Sequence, residues 1–261
     1  MKILKLGQML GGSSNTPSAS GFQNVYSLDF DGVDQFVDVG NDSSLRPALA
    51  DGITISLWAK FPDVLSPTAM FFSTSSNSSN YSGIWVQKNG NGKLSMNTGD
   101  GGGSGGGDRR TFSTLGSYLT NDKWHHIVFL FADETSANWN IYIDGTATGG
   151  VTSGTGSAMV YTTDNSFIGK RITTYGNTFM GEGHLDEVSL FSKALTSGEI
   201  TSIYNSGNPT DLTGESDLIA WWRNGDTRGS STYPTIEDYS SNSNNGTMNN
   251  MASGDIVTDV P

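Results

Sequence analysis

Apolar and polar residues alternate along most of the chain. In ITISLWAKF, Ile53, Ile55, Leu57 and Ala59 fall on one face and Thr54, Ser56, Trp58 and Lys60 on the other, the period-two pattern of a half-buried β-strand. Similar runs recur at YSLDF, QFVDV, GIWVQK, KLSMNT, HHIVFLFAD, WNIYIDG, SFIGK and HLDEVSLF. Between them stand residues that tolerate positive φ, such as NGNG at 89–92 and Asp144-Gly145, as tight hairpins require. Strands this short and numerous, punctuated by Gly, Asn, Asp and Ser in a chain with 34 glycines, predict an all-β antiparallel sandwich. One short helix interrupts the pattern, in SKALTSGEITSIYNSG. Thr196 is its N-cap, Glu199 completes a capping box, Ile200, Ile203 and Tyr204 form an apolar stripe, and Gly207 is placed to stop it.

Composition narrows the partners. Fourteen Lys and Arg against 26 Asp and Glu give a net charge of −12, which repels phosphate backbones and anionic lipid, so nucleic acid and membrane surfaces are not expected partners. No segment approaches the length of a membrane span. The absence of cysteine excludes disulfides, thiolate zinc sites and a Cys nucleophile. At the N-terminus, Lys5, Gly7 and Gln8 interrupt the leucines too early for a signal-peptide core, and residues 1–21 read as an exposed arm and linker. Residues 22–207 carry the strand pattern. Residues 208–261 hold too little apolar material for a core of their own and are expected to pack on the sandwich or on a neighbour.

The candidate chemistry is sparse. His125 and His126 are adjacent in DKWHHIVF, but successive side chains on a strand point to opposite faces, so the two cannot bind one metal. Asp186 and Glu187 should diverge for the same reason, while Glu182 and Asp186 share a face about 13 Å apart, too far for a carboxylate pair. GDGGGSGGGDRR at 99–110 lacks the ending of a phosphate loop and reads as a flexible connection; Arg109 and Arg110 at its end are solvated surface or, as the alternative, contacts for an acidic ligand. In LDFDGVDQFVDVG, Asp31, the Gly32 carbonyl and Asp34 offer oxygens to a hard cation, or form an acidic turn without one. Tyr81, Trp85 and Tyr175 are candidate faces for stacking sugars.

In order, YSLDFDGVDQFVDVG, DGITISLWAKF, DKWHHIVF, NIYIDG, SFIGK and GHLDEVSLFSKALTSGEITSIYNSG resemble the laminin-G-like domain of the concanavalin A-like lectin/glucanase superfamily, across residues 22–207. The resemblance implies a jelly-roll sandwich of two curved antiparallel sheets and a structural role for the WHH segment. It also implies a structural Ca²⁺ at the sandwich edge, held by Asp186 and by Asp31, the Gly32 carbonyl or Asp34. The spaced-carboxylate motif of the superfamily's hydrolases is not found, so no catalytic residue is assigned and no enzyme is expected. The tail segment LIAWWRNGDTRGSSTYPTIEDYSSNSNNGTMNN looks like the stretch that usually opens such a domain, placed last; it closes its own sandwich or donates to another copy. The short arm and the GDIVTDVP ending resemble structural proteins of tailed bacteriophages. The expected function is a non-catalytic virion component, in head decoration or tail fibre, with a lectin-like sandwich whose partners are other virion proteins, copies of itself or surface glycan. The alternative is a secreted or cell-surface carbohydrate-binding module, and the third reading a glycan hydrolase.

Overall fold

The computed structural model describes residues 21–74, 77, 79–173, 176–226 and 233–261. The N-terminal arm lies outside them, as does Tyr175. The strands in the first half are β1 (Ser27–Phe30), β2 (Phe36–Gly40), β3 (Ile53–Lys60), β4 (Ala69–Ser73), β5 (Ser82–Lys88), β6 (Leu94–Asp100), β7 (Arg109–Ser113) and β8 (His125–Phe131). There follow β9 (Asn140–Ile143), β10 (Thr146–Ala147), β11 (Val151–Ser153), β12 (Ser166–Ile168), β13 (Lys170–Thr173), β14 (Gly176–Phe179) and β15 (Gly183–Phe191). After helix α1 (Ser197–Tyr204) come β16 (Leu218–Trp222), β17 (Thr235–Ile236), β18 (Gly246–Asn249) and β19 (Ile256–Val257).

These strands form two antiparallel sheets. One has eight strands in the order β10-β9-β8-β3-β15-β1-β19, with β16 also on β15; the other has nine, β11-β7-β6-β5-β4-β12-β2-β18-β17. A hairpin of β13 and β14 stands apart. Alternation puts Ile55, Leu57, Phe129 and Leu185 of the first sheet against Val37, Phe71, Ile84 and Met96 of the second in one core. At Asp144-Gly145 both residues have positive φ, 50° and 75°, so the β9–β10 hairpin turns where the sequence placed it.

The outward face of β3 is not open to water. Helix α1 and its flanks cover it: Thr54 Oγ1 donates to the Lys193 carbonyl and accepts from Leu195 N, and Trp58 stacks on Tyr204. Val128, Phe191, Ile200, Ile203, Leu212 and Trp221 make a second apolar cluster there. The half-buried reading of ITISLWAK therefore fails because a helix supplies the missing layer. Thr196 and Glu199 exchange the two bonds of the capping box. The helix stops at Asn205 in the left-handed region (φ 44°), before Gly207, because Asn also tolerates that conformation.

The C-terminal strands pair within the chain. β1 lies along residues 183–185 of β15, and β16 takes over the same edge along 188–191. β18 joins β2 and β19 joins β1, so the tail contributes to both sheets. Arg109 and Arg110, read as solvated surface, begin strand β7. The glycine-rich loop before them is tied down by carboxylates: Asp100 accepts from Gly102 N and Ser157 N, and Asp108 from Gly105 N.

Candidate functional site

The histidine pair behaves as alternation requires. His125 Nε2 accepts from Thr120 N, so its Nδ1 carries the proton that reaches Asp144 Oδ2 at 2.8 Å. His126 faces the other way, with Nε2 2.8 Å from Ser56 Oγ and its ring between Trp58 and Tyr204. Burial pushes this imidazole down to about 4, opposed by the charge of Asp144.

Asp186 and Glu187 do not diverge, contrary to the alternation argument. Leu185 and Val188 both enter the core, and the register against β3 slips by one residue between Asp186 and Ser189. Glu187 sits at φ 49°, the left-handed conformation that lets a bulge hold two residues where the ladder has room for one. Both carboxyls thus reach the outer side where β16 replaces β1. Asp186 Oδ2 accepts from Asn24 Nδ2 at 2.7 Å and Oδ1 from Glu187 N. Glu187 accepts from Trp221 Nε1 and Arg223 Nε, while Arg223 Nη2 also reaches Asp226, whose carboxylate accepts from Val25 N.

Two carboxylates pair with the Arg223 guanidinium here, and Asp186 stands beside them without one. Burial raises Asp186 well above the ordinary carboxylate range, and the neighbouring Glu187 adds to the rise. Burial likewise lifts Glu187 to about 7 against the pull of Arg223, and raises Asp226. Asn24 Oδ1 and both amide atoms of Asn224 are buried without a hydrogen-bond partner. Among the described residues no three His, Cys, Asp or Glu side chains are arranged to hold a metal, so any cation here would depend on amide oxygens as well.

The structure does not bring Asp186 to the acidic turn. β1 pairs Phe30 with Gly183, so Asp31 and Gly32 lie near Glu182, about four residues and 13 Å along β15 from Asp186, and the Asp34 carbonyl accepts from Asn250 Nδ2. Asp31 Oδ1 accepts from Val33 N, closing a local turn. Gly32, at φ 78°, is pressed so closely on Glu182 N that a Cβ would stand 2.7 Å from it. Asp31, Gly32 and Glu182 border an open groove of about 540 Å³ with Asn177, Thr178 and Phe179.

Tyr81 and Trp85 meet on the outer face of the nine-stranded sheet, ring centroids 5.3 Å apart. Trp85 is 3% exposed because the Arg171 guanidinium lies 3.8 Å over its ring. Tyr81 keeps more of its surface, with Arg171 and Arg109 at 4.9 and 5.3 Å from its ring. Asn97 bonds the Trp85 carbonyl and Thr111 beneath them. Alternation along β13 sends Lys170 the other way, over Phe36 at 3.7 Å. Arg171 was missed in the sequence because nothing in KRIT marks which of its two cations faces the sheet.

The laminin-G family model described as concanavalin A-like lectin/glucanases superfamily matches residues 31–201. No curated protein matches the chain. Among solved structures, a protein of Bacteroides ovatus ATCC 8483 assigned provisionally to carbohydrate binding is similar at TM-score 0.60 and 16% identity, over 87% of this chain and 59% of that one. The CBM40 of the Ruminococcus gnavus IT-sialidase, bound to alpha2,3 sialyllactose, is similar at TM-score 0.52 and 10% identity, over 68% of this chain and 96% of that one. Such identities speak for the fold: a lectin-like sandwich of antiparallel sheets with one short α-helix among the described residues. With more than half its length matched by the family model, the chain belongs to the concanavalin A-like lectin/glucanase superfamily, in its laminin-G-like branch.

Proposed function

We propose that the protein is a non-catalytic carbohydrate-binding module. The observation that carries this reading is the outer face around Tyr81, where a partly exposed ring stands beside two guanidinium groups on a fold shared with carbohydrate-binding proteins. Sugars are held in this way, by an aromatic face with a few directed polar donors. Asp186 and Glu187, the one close carboxyl pair on β15, are buried and committed to Asn24, Trp221 and Arg223, which suits a structural role better than glycoside hydrolysis. The virion role expected from the sequence draws no support from the family or the similar structures, and carbohydrate binding is the better supported reading. A module of this kind works where glycans are displayed, on a cell surface, in the extracellular medium or on a particle. A saccharide array followed by calorimetry is expected to find at least one bound oligosaccharide and no release of reducing sugar. Folded protein that binds nothing across the array would refute the reading.

Of the residues expected to hold Ca²⁺, we propose Asp186 as the ligand, since a buried carboxyl beside an unpartnered amide oxygen suits a hard cation; Asp186, Asp226 and Asn24 Oδ1 would hold it. Binding only the folded state, Ca²⁺ at a hundredfold excess over Kd should raise the melting temperature by about 5 °C, with the rise lost in Asp186→Asn. Equal melts with Ca²⁺ and with chelator would remove the ion from the account.

A further inference from the structure

We propose that Arg171 and Arg109 form an anion-reading subsite beside Tyr81, so that the saccharide taken on this face is an acidic one, bearing a carboxylate or a sulfate group. The inference rests on the carbohydrate-binding reading and specifies its ligand class.

The chain holds 26 acidic residues against 14 basic ones, and all 26 lie among the described residues. A buried cation would therefore be expected to find a carboxylate. Arg223, 8% exposed, does so twice, with Glu187 and Asp226. Arg171 is 7% exposed and forms no ion pair among the described residues; its contacts are the faces of Trp85 and Tyr81. Stacking uses the plane of a guanidinium and leaves its in-plane N–H groups, the ones that grip carboxylate or sulfate oxygens in pairs.

A second guanidinium shares the same ring. Arg109 Nη1 lies 3.4 Å from the Tyr81 hydroxyl, and its Cζ is 5.3 Å from the ring centre. Burial, with the like charge of Arg109 added, brings Arg171 down to about 10, although Tyr81 opposes the shift. Two cations held on one tyrosine repel each other, and an anion between them relieves both. Three acids of these elements are engaged elsewhere and form no ion pair with either arginine: Asp100 accepts from Gly102 N and Ser157 N, Asp108 Oδ2 from Gly105 N, and Asp38 of β2 from Asn165 and Gly40 N. The pairing of Arg171 with Thr178 in the β13–β14 hairpin fixes the backbone that presents the guanidinium.

Calorimetry with charge-matched saccharide pairs tests this: sialyllactose against lactose, trigalacturonate against its methyl ester, and dextran sulfate against dextran. The first two pairs probe carboxylates, the third sulfate esters. The wild type is expected to bind at least one acidic member about tenfold or more tighter than its neutral partner, and both Arg171→Gln and Arg109→Gln to abolish that preference, so that each variant binds the two members of the pair equally. Should Arg171→Gln fail to give a cooperative melt, Arg109→Gln, at a half-buried position, carries the test alone. Equal binding of neutral and acidic members overturns the inference but leaves the module reading standing. An acidic preference that survives the substitutions overturns the assignment to these arginines. Failure to bind any saccharide overturns both.

Discussion

His126 has no exposed surface, one hydrogen bond to Ser56 and a ring stacked on Tyr204. Its pKa is held down to about 4, whereas in the unfolded chain it returns to the ordinary 6.5. Below pH 6.5 the unfolded state takes up a proton that the folded state refuses, so this site's contribution to stability is complete above 6.5. It declines as pH falls towards 4 and stays constant below. A depression of this size corresponds to about 3 kcal/mol. Glu187 works in the opposite sense: raised to about 7, it contributes most at low pH and loses that contribution as pH rises from 4.5 through 7. A wild-type curve therefore mixes the two. The difference between wild type and His126→Phe, which keeps an aromatic ring on Tyr204, cancels the carboxyl contribution that both proteins share and leaves that of the histidine. Urea unfolding at pH 7 and pH 4 should show the wild type losing about 3 kcal/mol relative to the variant. A difference that stays flat with pH would mean that the imidazole is protonated in the fold or that its site opens before it titrates.

At the scale of elements, the strands legible in the sequence are those whose inner face alone is apolar, and the errors have local physical causes. β3 was located by the alternation of Ile53, Ile55 and Leu57 with Thr54 and Ser56, although its polar face is covered by the helix, and its register on β8 follows. β4, in AMFFS, has no polar face to show, since its first four residues are all apolar, and periodicity cannot distinguish such a run. The β15 bulge was invisible for a different reason. Its signature is a positive φ at Glu187, a residue type that carries no turn signal, so alternation was extended through LDEV and separated two carboxyls that the backbone brings together. The same limit applies to the sites. Alternation along LDEV says nothing of Asn24, which bonds Asp186, or of Arg223, which bonds Glu187 and Asp226; these groups meet because β1 and β16 abut on one strand. Arg171 depends on a hairpin folding over a sheet, a contact set by tertiary packing rather than by local pattern.

At the scale of the whole molecule, the tail is part of the sandwich's closure. Ile219 and Trp222 on β16, Ile236 on β17 and Met248 on β18 all enter the main core, while Trp221 and Tyr239 complete the cluster beneath the helix. Ser27 Oγ donates to the Asp259 carbonyl, so the first and last described strands are tied to each other. Burying such side chains contributes roughly 1.5–3 kcal/mol each, and these six together about 10 kcal/mol or more. A domain has only about 5–15 kcal/mol of net stability. Removing residues 218–261 would also expose the edge of β15 and strip Arg223 and Asp226 from Glu187, leaving a buried acid without its cation. A chain ending at Asp217 should therefore lose its cooperative thermal transition and bind a hydrophobic dye, while the full chain melts as one unit. If the shortened chain instead melts cooperatively near the temperature of the full one, the strands of the tail are an addition to an already complete sandwich. Stability would then rest on residues 22–207 alone. The magnitudes argue against that outcome, because the tail's buried side chains are worth about as much as the whole domain's margin.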